Sequence, residues 1–159
     1  MTDAETIRTF NAALARETEA RILDSQLLKA GVETLLQDSS KGWYAVAVNS
    51  RDTVQATVVG QILITYEWSD WRNGNFWWIQ SLYVDPNYRQ HGVFRQLFEY
   101  VHEQAKANPE KVCGFRLYVE RDNEQAHQIY AHMGFQHTAY LMHEIDFTEK
   151  PTSSQTTTV

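Results

Sequence analysis

The spacing of apolar positions changes along the chain, and the changes mark its elements. Ile7, Phe10 and Leu14, with Ala13 less regularly between them, recur three and four residues apart, which predicts an opening amphipathic helix. Residues 26–37 predict a second helix, with Leu27, Leu28, Val32, Leu35 and Leu36 toward the core and Ser39, Ser40 and Gly42 breaking it. Then the period shortens. Residues 43–48, a turn at 49–52, and the long β-branched and aromatic run 54–68 predict two strands. A hairpin loop at 69–75, carrying Asp70, Asn73 and Gly74, leads into a third strand at 76–84. Asp85, Pro86 and Asn87 end that strand, since proline cannot continue a ladder.

The clearest helix comes next. Phe94, Leu97, Phe98, Val101 and Ala105 line one face, and the pattern stops before Asn108 and Pro109. Residues 112–120 predict a strand. Asp122, with Gln125 three residues on, predicts the capped start of another helix, in which Ala126, Ile129, Tyr130 and Met133 share a face and Gly134 is the stop. Residues 135–147 predict a closing strand, and the Ser- and Thr-rich stretch 148–159 a disordered tail. The order α-α-β-β-β-α-β-α-β over residues 1–147 describes one α/β (α+β) domain. Its sheet is mixed and mostly antiparallel, with helices on both faces.

Composition narrows the function. A chain of 159 residues builds a core without staples. Its 20 acidic against 14 basic residues, a formal charge of −6, argue against a nucleic-acid or membrane partner and suit a cationic substrate. Cys113 is the lone cysteine, so no internal disulfide forms and a cytoplasmic home is expected. Residues 1–6 show no basic, hydrophobic leader, and no apolar run approaches the ~20 residues of a membrane span. His127 and His132 stand five apart and no H-E-x-x-H occurs, so no metal is expected.

Chemistry concentrates between the third strand and the helix that follows. Arg89-Gln90-His91-Gly92-Val93-Phe94 sits where unpaired N–H groups and the positive end of the helix dipole meet. Glycine there lets a ligand approach the backbone, and Arg89 and Arg95 add positive charge; together they suit a phosphate or pyrophosphate. The plainer reading is a glycine easing a turn between solvated arginines. Neither G-x-x-x-x-G-K-[ST] nor G-x-G-x-x-G is present.

The loop 89–94 resembles the [RQ]-x-x-G-x-[GA] acetyl-coenzyme A loop of the GCN5-related N-acetyltransferases (GNAT), with Phe94 departing from the last position. Before it stands Leu82-Tyr83-Val84-Asp85-Pro86, the strand end of that family. After it, Asn123, Ala126, Tyr130, Gly134 and Phe135 resemble the family's N-x-x-A-x-x-x-Y-x-x-x-G-F signature. The resemblance runs from about residue 43 to 147, and the aromatic stretch 66–78 most resembles the diamine and polyamine acetyltransferase branch. It implies the GNAT fold and transfer of acetyl from acetyl-CoA, without a metal, to a primary amine of a small molecule. Attack would be direct, in a ternary complex, and a homodimer is implied by analogy. Acetylation of protein lysines or N-termini, or a coenzyme A-binding module with little turnover, stand beside it.

Residue by residue, the resemblance assigns pantetheine to the backbone of Leu82, Tyr83 and Val84, with the Val84 N–H on the thioester oxygen. It assigns pyrophosphate to the amides of Gln90, His91, Gly92, Val93 and Phe94, with Arg89 or Arg95 in support. Asn123 matches a cofactor contact, and Tyr130 the tyrosine that protonates the leaving thiolate. Tyr130 also reads simply as a core aromatic. No carboxylate occupies 79–82, where many family members carry their base; Gln80 is placed there to orient water or substrate. Glu120 is the expected base through water, and Glu67 and Asp70 the charges that attract an amine.

Overall fold

The protein is described by a computed structural model covering residues 3–50 and 56–147. The elements are α1 (Ala4–Glu19), α2 (Ser25–Gln37), β1 (Gly42–Asn49), β2 (Thr57–Ser69), β3 (Gly74–Val84), a 3-10 turn (Pro86–Tyr88), α3 (Val93–Lys106), β4 (Val112–Leu117) and α4 (Glu124–His132). Two compact units meet in the chain between Tyr118 and Val119. The predicted start of the second strand at Val54, residues 51–52 of the turn before it and the predicted tail 148–159 lie outside the described residues.

The first unit is built on a four-stranded sheet of order β1-β2-β3-β4. Its β1/β2 and β2/β3 pairs are antiparallel and its β3/β4 pair is parallel. Parallel strands need a crossover, and α3 provides it. Neighbouring positions on β3 show that helices cover both faces. Tyr83 meets Phe10 of α1, ring centroids 5.1 Å apart. Val84 points the other way and pairs across the ladder with Gly60. A Cβ on Gly60 would come within 2.9 Å of Val93 Cγ1 and 3.3 Å of Leu97 Cδ1, so the bare backbone there lets the start of α3 lie close on the sheet.

Val59, Ile62 and Ile64 of β2, Ile79 of β3 and Leu97, Val101 and Ala105 of α3 are buried, as the periodic pattern requires. The aromatic surplus goes largely into packing. Trp77 meets Trp43 edge-on at 5.5 Å and Phe115 at 6.2 Å, and Phe115 meets Phe98 of α3 at 5.8 Å. The second helix departs from expectation. Only Val32 of α2 is buried, and Leu27, expected in the core, is 74% exposed. Asp24 fixes the start of α2 by accepting from the amides of Gln26 and Leu27, which places Leu27 in the first, outward-facing turn.

One polar chain is embedded under α1. Gln61 is fully buried; its Nε2 donates to Asn11 Oδ1 at 2.6 Å, and Asn11 Nδ2 donates to the Tyr44 hydroxyl at 3.0 Å. Burial pushes the Tyr44 phenol above its ordinary pKa, so it remains a neutral partner. Asn11→Leu strands the Gln61 amide in the interior, and the expected loss is about 1–3 kcal/mol in urea denaturation. An unchanged midpoint and slope would show that the chain contributes no net stability.

In the second unit, α4 is stopped at both ends by the residues of the C-terminal motif. Asn123, rather than the expected Asp122, is the N-cap, and its Oδ1 accepts from the Ala126 amide at 3.0 Å. At the other end Gly134 has φ +91°, and its N–H reaches the Ala131 carbonyl at 3.0 Å. The Phe135 N–H reaches the Tyr130 carbonyl, also at 3.0 Å, and the two rings pack 5.6 Å apart. This is a Schellman stop with its hydrophobic contact.

The strand expected at 135–147 is not formed. A strand needs a ladder neighbour, and β-forming residues alone do not supply one. Here Tyr140, Leu141, Ile145 and Phe147 are each at least 80% exposed. The strand expected at 112–120 also ends early, at Leu117, so Glu120 belongs to the irregular segment leading to α4 rather than to a strand.

Candidate active site

The sheet opens at one edge of β3. Its ladder with β4 ends at Ile79↔Leu117, while β3 itself continues to Val84. On the other side, the β2 register slips between Leu63, opposite Ser81, and Ile64, opposite Ile79, which leaves Gln80 as the extra residue of a β-bulge. A bulge bends and twists the strand that carries it. From Gln80 to Val84, therefore, β3 keeps β2 on one side and has no β4 ladder on the other. At a rise of about 3.4 Å per residue that edge is roughly 17 Å long.

The direction of the Val84 groups follows from their neighbours. The Asp85 N–H donates to the Val59 carbonyl on β2 at 3.0 Å. Alternation along the strand then turns the N–H and C=O of Val84 away from β2, toward the open edge. The carbonyl accepts from Arg89 Nε at 3.0 Å. Val84 itself is buried.

The strand runs straight into the loop. After the 3-10 turn, which Asp85 caps through the Asn87 amide at 2.8 Å, Gln90 takes φ +65° and Gly92 φ +79°. Gly92 is the N-cap of α3 and no side chain caps that turn; the first amide to reach back to its carbonyl is Gln96, at 3.0 Å. The amides of the preceding turn thus face out of the helix end. A Cβ on Gly92 would meet no atom within 4 Å, so the surface over the turn is open to a ligand. Phe94, the departure from the loop pattern, is half-buried.

The arginines of the loop are already engaged. Arg95 pairs with Glu99 at 2.6 Å on the exposed face of α3. Arg89 NH2 pairs with Glu17 Oε2 at 2.7 Å, and Glu17 Oε1 accepts from the Tyr83 hydroxyl at 2.7 Å. The Tyr83 hydrogen bond, then Arg89, hold the Glu17 carboxyl below its usual range. Burial and the hydrogen bond to Glu17 push the Tyr83 phenol up to about 12, so it donates throughout the neutral range. Sequence reasoning missed Glu17. Its one local signal is an acid in the last turn of α1, where the helix dipole favours a base.

The chain matches the model of the acetyltransferase (GNAT) family over residues 8–135. It belongs to that family. The match crosses the division between the two units. No curated protein matches the sequence. A solved structure of a possible acetyltransferase from Clostridium difficile 630 is similar at 43% identity, with 93% of each chain covered and a TM-score of 0.81. A probable acetyltransferase at 14% identity, covering 94% of this chain and 95% of that one with a TM-score of 0.79, shares the fold. So does an aminoglycoside N-acetyltransferase solved in complex with CoA, at 16% identity, 92% and 90% coverage and a TM-score of 0.69. The protein is thus an acetyltransferase with a mixed α/β GNAT fold. No helix among the described residues is long and apolar enough to cross a membrane.

The remaining residues singled out for this GNAT protein lie as follows. Tyr130 is in α4, where burial raises its phenol above the ordinary pKa. Glu120 is exposed, and its backbone carbonyl accepts from the Asn123 amide at 3.0 Å. Gln80 is exposed at the bulge and Asp70 at the β2–β3 hairpin. The Glu67 carboxylate accepts from Trp78 Nε1 and pairs with Arg116, so its charge is balanced within the sheet face rather than offered to an amine. Among the described residues no three His, Cys, Asp or Glu side chains converge as a metal site.

Proposed function

We propose that this acetyltransferase moves the acetyl group of acetyl-CoA to the primary amine of a small molecule, by direct attack in a ternary complex. The observation that carries this reading is the open edge of β3 beyond Ile79, which leads through the 3-10 turn and the loop after it to the uncapped start of α3. An extended pantetheine arm fits such an edge as an added strand does. The turn at its end, with a clear surface over Gly92, fits a pyrophosphate. Acetyl-CoA supplies an activated acyl carbon, and the chain supplies position, charge and protons.

Each residue then has a part. The backbone of Leu82 and Tyr83 aligns the arm, and the Val84 N–H donates to the thioester oxygen as negative charge grows there. The amides from Gln90 to Phe94 hold the diphosphate. Gln80, at the bulge, orients the amine or a water. By the family resemblance, the ammonium loses one proton through water to Glu120 before attack. As the tetrahedral adduct collapses, Tyr130 gives its hydroxyl proton to the departing sulfur and regains one shed by the acylated nitrogen, so one proton is released net. Asp70 contributes negative charge for a cationic acceptor, in keeping with the net charge of −6.

A module that binds coenzyme A with little turnover is favoured by one feature, the neutral Gln80 in place of a carboxylate on β3. Thiol release from acetyl-CoA against a panel of diamines, amino acids and aminoglycosides separates the two. Sustained turnover on one amine is expected. Coenzyme A binding without turnover on any panel member would establish the module instead, and acetylation confined to protein lysines or N-termini would displace the small-molecule acceptor.

A further inference from the structure

Arg89 occupies the loop position from which an arginine is expected to support a phosphate, yet its partly exposed side chain turns toward the end of β3 and the last turn of α1. Three contacts hold it. Nε donates to the Val84 carbonyl at 3.0 Å, NH2 pairs with Glu17 Oε2 at 2.7 Å, and the guanidinium carbon lies 5.3 Å from the centre of the Tyr83 ring. Glu17 completes the ring of contacts through the Tyr83 hydroxyl. These links join the last turn of α1, the end of β3 and the first residue of the loop.

We propose that Glu17 and Arg89 are positioning residues, which clamp the end of β3 so that the Val84 amide is held in line for acetyl transfer, and that Arg89 is not a phosphate ligand. The proposal rests on the role given to Val84 above. Its physical basis is the missing ladder. Beyond Ile79 β3 has no ladder with β4, and a strand laddered on one side only is less restrained against twisting. Arg89 supplies a restraint that leaves the amide side available. An exposed ion pair contributes little by itself. Here, however, one carboxylate is bonded by both Tyr83 and Arg89, and one guanidinium serves two acceptors. That fork geometry suits arginine and is unavailable to lysine.

The two roles for Arg89 give opposite signs when its partner is removed. The variants are Glu17→Gln, Arg89→Gln and Arg89→Lys. The readouts are coenzyme A affinity by calorimetry at low and high salt, hydrogen exchange over residues 82–89 without ligand, and kcat with the best amine of the panel. Under the clamp, Glu17→Gln and Arg89→Gln both speed exchange at the end of β3. Both also lower kcat about tenfold, with coenzyme A affinity held within about twofold. Arg89→Lys does not restore kcat, although it keeps the charge. The proposal is overturned if Arg89→Gln weakens coenzyme A binding tenfold or more with a flatter salt dependence, while Glu17→Gln, by releasing the guanidinium, tightens it. Unchanged exchange in both variants also overturns it. If the parent protein binds no coenzyme A, the reading of Val84 has failed, and the exchange arm still shows whether the clamp exists.

Discussion

Replacing Tyr130 with phenylalanine is expected to lower kcat for acetyl transfer about a hundredfold or more, with coenzyme A affinity almost unchanged. The expectation follows from how α4 is built. The Tyr130 ring packs on Phe135 and its carbonyl accepts from the Phe135 amide, so ring and backbone complete the helix stop. Phenylalanine keeps both contacts. The hydroxyl alone is lost, and with it the proton for a sulfur whose conjugate thiol has a pKa near 8.5. Burial raises the phenol above its ordinary pKa, so the hydroxyl carries its proton at neutral pH. Steady-state thiol release and calorimetry on the same preparation separate the two quantities. Equal kcat in the variant would return Tyr130 to its structural part as a helix-end anchor.

Gly92→Val is expected to weaken coenzyme A binding by tenfold or more, at least about 1.4 kcal/mol. Two effects add. The φ of +79° lies where a β-branched residue is strained, so the turn is displaced. The isopropyl group also stands in the open space over the helix start, where a phosphate would approach the amides. Gly92→Ala isolates the first effect. It carries the same kind of backbone strain with less bulk, so it should cost less affinity for a comparable change in urea midpoint. Full affinity in Gly92→Val would remove the loop from the binding site.

Much of this was legible in the sequence, and the reasons differ by element. The α3 stripe and the β2 run are long and strongly periodic, and they fold as read. The helix stop at Gly134 acts locally and falls where the pattern puts it, whereas the N-cap of α4 is Asn123, one residue past the expected Asp122. Contacts distant along the chain left no such trace. Glu17 reaches Arg89 across 72 positions and Asn11 reaches Gln61 across 50. The bulge at Gln80 depends on the register of β2, which no single strand encodes. The apolar residues of 135–147 predict a strand, but strand formation depends on a neighbour. Periodicity places Leu27 toward the core, while the Asp24 cap sets the turn in which it sits.

Hydrogen exchange of the whole protein, with and without saturating coenzyme A, tests the central claim most directly. If the open edge of β3 and the start of α3 receive the carrier, protection will appear over residues 82–94, with little change in the buried centre of β2. Protection confined to other segments, or none at saturating ligand, would contradict the account.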